Sequence, residues 1–264
     1  YLDTRRYSQR FRRHFLVPLT AALWSTAPGR ALEYPAASAI RFFDNHGMLG
    51  LGRFKWRYVT GGSDTYVRAI SERLGPRLHL GNGALSLRRS SDGVELRTAD
   101  GETRRFDAAV VATHADQALR LLEDPSDDEQ RLLGAFEYTT NEAILHTDAR
   151  FLPATRAARA SWNYRVGENG KPTMTYYLNR LQAIEGDTDW CLTLNGNVAD
   201  EHVVDRGTFE HPLFTTASIA AQRELPRLGG VRHTWYAGAH HGNGFHEDGL
   251  ASGIRAAAAL GVTW

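Results

Sequence analysis

Lysine is almost missing from this chain. Only Lys55 and Lys171 carry it, and the other basic residues are arginine, a bias of codon usage from which no function follows. Charge of one sign is also missing: 31 Lys and Arg against 30 Asp and Glu leave a net charge of +1. That balance gives no general attraction to nucleic acid, and no nucleic-acid partner is expected. Cys191 is the one cysteine, which excludes a disulfide framework and a cysteine-based metal site. It stands in the apolar run Trp190-Cys191-Leu192-Thr193-Leu194 and reads as a small buried hydrophobe, because apolar surroundings raise a thiol's pKa. No apolar run approaches the roughly 20 residues of a membrane span, and no signal peptide is visible. A cytoplasmic protein without a transmembrane segment is expected. The chain begins at Tyr1 rather than Met, as a fragment or a processed product would. G-x-S-x-G and H-E-x-x-H are absent too, so Ser63 after Gly61-Gly62 is no nucleophile elbow. His46, His114, His146, His240, His241 and His246 lack metal-ligand spacing, and no metal is expected.

What is present is ordinary for a globular protein: 264 residues, 42% apolar and 23% charged, enough for one large domain or two modest ones. Phe11, Phe15, Leu19 and Leu23 recur every four residues among Arg5, Arg6, Arg10, Arg12 and Arg13. This predicts an amphipathic helix that Pro18 should break or kink. The arginines suit a solvated face, or phosphates and lipid headgroups. Ala27-Pro28-Gly29 should end the segment, and Ala36 to Phe43 reads as a second helix. Trp24, Phe42, Phe43, Met48 and Phe54 suit either a packed layer or the wall of an apolar pocket.

Trp56 to Val59 reads as a strand, Thr60-Gly61-Gly62-Ser63 as a turn, and Asp64 to Leu74 as a helix with Tyr66, Val67, Ile70 and Leu74 on one face. From Arg77 the period becomes two. Leu78 and Leu80 suggest a short strand, and strands around Leu85 and Val94 flank the hairpin turn Ser90-Ser91-Asp92-Gly93. Phe106 to Thr113 has the continuous apolar character of a strand buried on both faces. Helices are expected over Ala115 to Leu122 and Ser126 to Ala135, the latter with Ser126 and Glu129 at capping-box spacing. Strands over Asn141 to Thr147, Ala160 to Tyr164, Met174 to Leu178 and Trp190 to Leu194 suggest an antiparallel sheet. His211-Pro212 should open a loop, and Thr216 to Leu225 a helix.

The last stretch, Thr234 to Gly253, reads as a strand, a Gly/His/Asn loop and a helix start. Gly238, Gly242 and Gly244 permit close backbone approach. Glu247 and Asp248 suit the positive end of the helix dipole, whose N–H groups can also receive an electron-rich ligand edge. A plain strand-to-helix turn has the same pattern.

In order along the chain stand Leu16-Val17-Pro18-Leu19, Leu23-Trp24-Ser25, Asn45-His46-Gly47, Tyr58-Val59-Thr60-Gly61-Gly62-Ser63, Val110-Val111-Ala112-Thr113-His114, Leu145-His146-Thr147-Asp148, Ser161-Trp162-Asn163-Tyr164, His211-Pro212 and Gly244-Phe245-His246-Glu247-Asp248-Gly249-Leu250. Together they resemble the C-terminal two-thirds of an FAD-dependent amine-oxidase-like flavoprotein, of the monoamine oxidase and phytoene desaturase superfamily. The likeness is strongest to bacterial predicted NAD/FAD-binding oxidoreductases, and extends to the oxidase domain of plant cyclopropane fatty acid synthases. Such proteins open with a GxGxxG element that seats the FAD pyrophosphate. No GxGxxG occurs here, and Gly50-Leu51-Gly52 lacks the third glycine.

The resemblance implies an α/β fold with an α+β substrate part: the remainder of a two-domain FAD-binding fold, with a small β-meander and an antiparallel substrate-domain sheet covered by helices. Residues 1–56 would be a helical substrate-domain segment and 57–135 part of the FAD-binding domain with the meander. Residues 136–230 would form the antiparallel-sheet substrate domain, and 231–264 the C-terminal FAD-binding strand, loop and helix. It implies non-covalent FAD. Ala84 would lie near the adenine, Thr113 on the adenosine side, Gly61 and Gly62 by the isoalloxazine, and Gly238 and Ala239 near the ribityl phosphate. Phe245, His246, Glu247 and Leu250, introduced by Gly244, would run along the flavin ring. The catalytic residues stay unassigned, and Lys55 is the nearest counterpart in sequence of the lysine that relatives place by the flavin. The expected activity is FAD-dependent oxidation of a small, hydrophobic or lipid-like molecule, in a pocket of the Leu16–Phe54 aromatics with Trp162 and Tyr176. Peripheral membrane contact is compatible with it. The alternative is a non-catalytic remnant, or a subunit that binds a hydrophobic ligand or a partner protein.

Overall fold

The computed structural model describes residues 1–26, 29–50, 57–166 and 172–262. In chain order the helices are α1 (Gln9–Phe11), α2 (Val17–Trp24), α3 (Ala36–Asn45), α4 (Asp64–Leu74), α5 (Ala115–Leu121), α6 (Asp127–Leu133), α7 (Leu178–Leu181), α8 (Thr216–Glu224) and α9 (His246–Ala259). The strands are β1 (Ala84–Ser90), β2 (Gly93–Thr98), β3 (Thr103–Phe106), β4 (Ala109–Val111), β5 (Glu137–His146), β6 (Trp162–Val166), β7 (Pro172–Tyr177), β8 (Cys191–Leu194), β9 (Val203–Leu213) and β10 (Thr234–Tyr236). The chain divides into two compact units. One comprises Tyr1–Leu32, Ala36–Arg73 and Tyr138–His211, the other Glu33–Pro35, Leu74–Glu137 and Pro212–Trp264.

The first unit is built on a five-stranded sheet in the order β6-β7-β8-β5-β9. The pairs β6–β7, β7–β8 and β8–β5 are antiparallel, as the spacing of the strands over residues 141–194 predicted. The sheet carries a buried polar thread. The Asp148 N–H donates to His146 Nδ1, which leaves the His146 Nε2–H to donate to Thr193 Oγ1 at 2.7 Å. Thr193 and Thr175 hydroxyls bond in turn at 2.8 Å. Each buried hydroxyl so acquires a partner, as burial requires.

Pro18 does not break the first helix. A π-turn, Arg12–Leu16, runs α1 into α2, and Pro18 stands just past this widened turn, which accommodates its missing N–H. The helix ends at Ser25, which is left-handed (φ 47°); the expected Ala27-Pro28 stop lies outside the described residues. Trp24, Phe42 and Phe43 are buried and meet edge-on or tilted, with Trp24 and Phe42 centroids 5.0 Å apart. These aromatics are core packing rather than a pocket wall, while Phe54 lies outside the described residues. The strand expected over Trp56 to Val59 does not form at Arg57–Val59, and Trp56 is not described. Helix α4 has the predicted bounds, but Tyr66, Val67, Ile70 and Leu74 are all exposed.

In the second unit β1, β2 and β3 form the expected antiparallel meander, with Ser90 opposite Gly93 at the hairpin. Leu78 to Leu80 is not a strand, and Leu80 is fully displayed at 80% exposure. A bend at Asp107 splits the run predicted over Phe106–Thr113. Phe106 ends β3 opposite Val94, whereas Ala109–Val111 pairs in parallel with β10, and Val110 remains 41% exposed rather than buried on both faces. Helix α6 has the predicted capping box: the Glu129 N–H donates to Ser126 Oγ, and the Ser126 N–H to Glu129 Oε2 at 2.8 Å. His211-Pro212 does not open a loop, because both residues lie near the end of β9. A proline is tolerated there because β9 is an edge strand, where a missing N–H costs no ladder bond.

Candidate functional site

The carboxyl ends of parallel strands are where α/β folds gather ligands. In the second unit both members of the parallel pair end at one place. β4 runs into Ala112-Thr113-His114 and α5, and β10 into Ala237-Gly238 and the loop before α9. The Ala237 N–H still bonds to the Val111 carbonyl at 3.0 Å, so the two exits leave side by side. Gly238 has φ +151°, and a Cβ on it would stand 2.7 Å from the His240 ring and 3.2 Å from the Thr113 carbonyl. Only glycine lets the two turns approach this closely. Its N–H donates to Ser252 Oγ at 2.8 Å, and that hydroxyl donates to the Gly249 carbonyl, which ties the start of the loop to α9.

The loop is pinned from beneath. Gln222 of α8 donates through Nε2 to the carbonyls of His240, at 2.8 Å, and Gly242, at 2.6 Å. The His240 ring packs edge-on against Phe136 and lies 4.7 Å from His241. Nε2 of both rings is buried without a hydrogen-bond partner. Burial, with His241 and His114 adding to it, lowers His240 to about 3, and burial with Arg255 nearby lowers His241 to about 4. Both rings are therefore neutral at neutral pH. Gly244 (φ +92°) rests on the Phe214 ring, 3.0 Å from where its Cβ would stand. Asp248 then accepts from the Phe245 N–H at 3.0 Å and starts the fourteen-residue helix α9.

This frame turns the expected residues outward. Phe245 is 37% and Leu250 54% exposed. His246 and Glu247 are exposed, and Gly238, Ala239 and Gly244 partly so. Thr113 is exposed and meets Gly238 through its carbonyl. Ala84 is exposed at the start of β1 opposite Thr98, and its partner is in the meander rather than the loop. Gly61 and Gly62 belong to the first unit, in a turn closed by Gly62 N–H to Val59 carbonyl, both with φ near +80° (+82° and +83°). Lys55 lies outside the described residues.

Two clefts open in the first unit. One of about 360 Å³ lies among Arg150, Phe151, Tyr164 and Arg165, the other, of about 50 Å³, among Ser25, Asn141, Tyr164 and Met174. Neither is lined by a residue of the loop. Sequence reasoning did not find Gln222 or Ser252, which hold the loop through a side-chain amide and a hydroxyl that no motif marks. It also missed the buried Arg89, whose guanidinium bonds to Glu129 and Asp124 and to the Tyr236 hydroxyl at the end of β10. Among the described residues no group of three or more His, Cys, Asp or Glu side chains is placed to hold a metal.

The sequence profile of the family described as flavin containing amine oxidoreductase matches residues 10–188. The chain belongs to this family. Flavin is thus the family's cofactor, and the mixed helix-and-sheet architecture agrees with its solved structures. The fatty acid isomerase from P. acnes that produces CLA superposes with a TM-score of 0.64 at 14% identity, over 93% of this chain and 63% of that one. Cyclohexylamine oxidase from Brevibacterium oxydans IH-35A superposes at 0.64 with 13% identity, over 96% of this chain and 64% of its own. Reduced UDP-galactopyranose mutase gives 0.60 at 15% identity, over 99% and 67%. At these identities the likeness is one of fold, and this chain spans a little under two-thirds of the first two structures. No curated protein matches it.

The ring end of a flavin suits what the second unit offers: an exposed aromatic ring at Phe245 and the start of a long helix, on a loop whose Gly238 N–H is taken by Ser252. The GxGxxG that seats a flavin's diphosphate does not occur in this sequence.

Proposed function

We propose that this chain supplies the flavin-ring side and the substrate side of an FAD-dependent, amine-oxidase-like oxidoreductase acting on a hydrophobic, lipid-like molecule. The observation that carries the reading is the shared exit of β4 and β10 onto a pinned glycine loop that starts α9. In this reading Gly238 and Ala239 approach the ribityl phosphate with backbone alone, and Thr113 the adenosine side. Phe245, His246, Glu247 and Leu250 line the ring. The α9 N-terminus would stabilise negative charge at the ring's carbonyl edge. Neutral His240 and His241 behind the loop add no charge of their own. Gly61 and Gly62 would meet the isoalloxazine, and Ala84 the adenine. Residues 57–135 and 231–264 would then form the flavin-binding part, and 1–56 and 136–230 the substrate part. This division by role differs from the compact units, where 57–73 belong to the first and 212–230 to the second. When bound, FAD would take up a hydride equivalent and pass it to dioxygen or another acceptor. Cys191, the only thiol in the sequence, is fully buried in β8, so a thioether link to the ring is not offered, which supports non-covalent binding in this reading.

A hydrophobic substrate is supported by Trp162 and Tyr176, which meet edge-on at 6.1 Å on neighbouring strands, and by the fold shared with a fatty acid isomerase. The second reading, a non-catalytic subunit that binds a hydrophobic partner, is favoured by the exposed apolar face of α4. Absorbance of the purified protein, produced with a GxGxxG-bearing segment and reconstituted with FAD, separates the two. Flavin bands that survive gel filtration are expected, and Gly244→Trp, whose side chain would collide with Phe214 and displace the loop, should abolish them. Failure of reconstitution would sink the oxidoreductase reading; unchanged retention in Gly244→Trp would sink the placement of the loop.

A further inference from the structure

The start of the chain carries a ridge that the flavin reading does not use. Tyr1, Tyr7, Phe11 and Phe15 form a ladder with successive ring centroids 6.2, 5.2 and 5.3 Å apart. Burial does not explain it, since Tyr7 is 40% and Phe15 55% exposed. Around the rings stand five arginines, at positions 5, 6, 10, 12 and 13, against one carboxylate, Asp3, in a chain whose net charge is only +1. Arg12 pairs with Asp3, and Arg5 lies 5.9 Å over the Tyr1 ring. Arg6, Arg10 and Arg13 are exposed, and no carboxylate pairs with them among the described residues.

The ridge is held rigidly. The helical run from Gln9 continues through the π-turn into α2, whose residues Thr20 to Trp24 are buried, with Trp24 wedged against Phe42. One end of the run is fixed in the core, and the other presents rings and guanidiniums to solvent. Phe11 and Phe15 share a face of the helical run, and Tyr7, before its start, stacks on Phe11; Arg10 flanks that face and Arg13 lies opposite. Exposed aromatic rings flanked by arginine suit a bilayer interface, where the rings sit at the headgroup boundary and the guanidiniums meet phosphates. A nucleic acid suits the ridge less well. The inner rings, stacked at 25° and 29°, cover each other's faces and leave little platform for successive bases. Among the described residues no helix is long and apolar enough to cross a membrane.

We propose that this aromatic and arginine ridge docks the protein on the surface of an anionic phospholipid bilayer, with Tyr7, Phe11 and Phe15 at the interface and Arg6 and Arg10 on lipid phosphates. The inference does not rest on the flavin assignment. The test is co-sedimentation of the whole chain with phosphatidylcholine vesicles, with and without phosphatidylglycerol, at low and high salt. Binding should need phosphatidylglycerol and weaken with salt. One arginine near an anionic surface is worth on the order of fivefold in partitioning, so Arg6→Gln with Arg10→Gln should weaken binding about 25-fold. Tyr7→Ser with Phe15→Ser should weaken it at least tenfold or so by removing buried ring area. Arg13→Gln, on the far side, should change it less than about threefold. All these positions are exposed, and unchanged far-ultraviolet circular dichroism checks the fold. Equal binding to neutral vesicles, no vesicle binding, or an Arg13→Gln effect as large as that of Arg10→Gln would overturn the proposal. So would tight binding to heparin or single-stranded RNA without binding to vesicles.

Discussion

Arg89→Met is the substitution whose cost the structure defines most sharply. The Arg89 side chain is 0% exposed and the Glu129 side chain 1%. The guanidinium donates to Glu129 Oε1 at 2.6 Å and Oε2 at 2.9 Å, to Asp124 Oδ1 at 2.7 Å and to the Asp124 carbonyl at 2.8 Å. Burial alone would raise the Glu129 carboxyl, but Arg89, the Tyr236 hydroxyl and the Ser126 N–H outweigh it and hold the group down to about 2. Methionine fills the aliphatic volume and removes the charge, leaving a buried carboxylate with only neutral donors. Removing one partner of a buried pair costs about 3–5 kcal/mol, whereas replacing both with apolar groups is often nearly neutral. Arg89→Met should therefore lower urea stability by about 3–5 kcal/mol, and adding Glu129→Leu should recover at least half of it. The fluorescence of the six tryptophans, Trp235 beside Tyr236 among them, supplies the signal. The penalty should also shrink between about pH 7 and about pH 5, because without Arg89 burial raises Glu129 and lets it protonate. A loss under about 1 kcal/mol, or a double variant as unstable as the sum of the singles, would refute the account of the pair.

Two further outcomes follow from burial. His240 and His241 titrate near 3 and 4 in the folded chain but near the usual histidine value when unfolded. Unfolding therefore takes up protons below about pH 6.5, so their stability contribution is complete above that pH and declines as pH falls toward 4. Each ring should contribute a slope of up to about 1.4 kcal/mol per pH unit. Urea midpoints across that range should flatten in His240→Asn; an unchanged slope would mean the rings are not buried neutral. Cys191 is fully buried, and burial, with Asp189 nearby, pushes its thiol up to about 12. It should react with a thiol-specific chromophore only at the rate of unfolding, and prompt labelling in native buffer would contradict its place in β8.

Features that depend on a few neighbouring residues were readable in advance. The Ser126 and Glu129 capping box, the Ser90–Gly93 hairpin and the bounds of α4 all follow from spacings within one turn. Features that depend on a distant partner were not. Strand β9 lacks clean alternation, and Pro212 argued against it; only its edge position beside β5 makes it a strand. Leu78 and Leu80 alternate like a strand yet find no partner. At the candidate site the glycines and the helix start were legible, whereas the Gln222 clamp was not, because its amide is twenty residues from the Gly242 carbonyl it holds.

The sequence by itself determined the family, the elements with strong local signals, and the absence of a GxGxxG, a disulfide or a second thiol. These are properties of residue type and spacing, which folding does not alter. Only the tertiary structure decided that Trp24, Phe42 and Phe43 are core, that Tyr7 and Phe15 are exposed, and that Gly238 meets Thr113. Burial and proximity arise from the pairing of segments far apart in the chain, and the same apolar residue serves as core or as surface according to what packs against it.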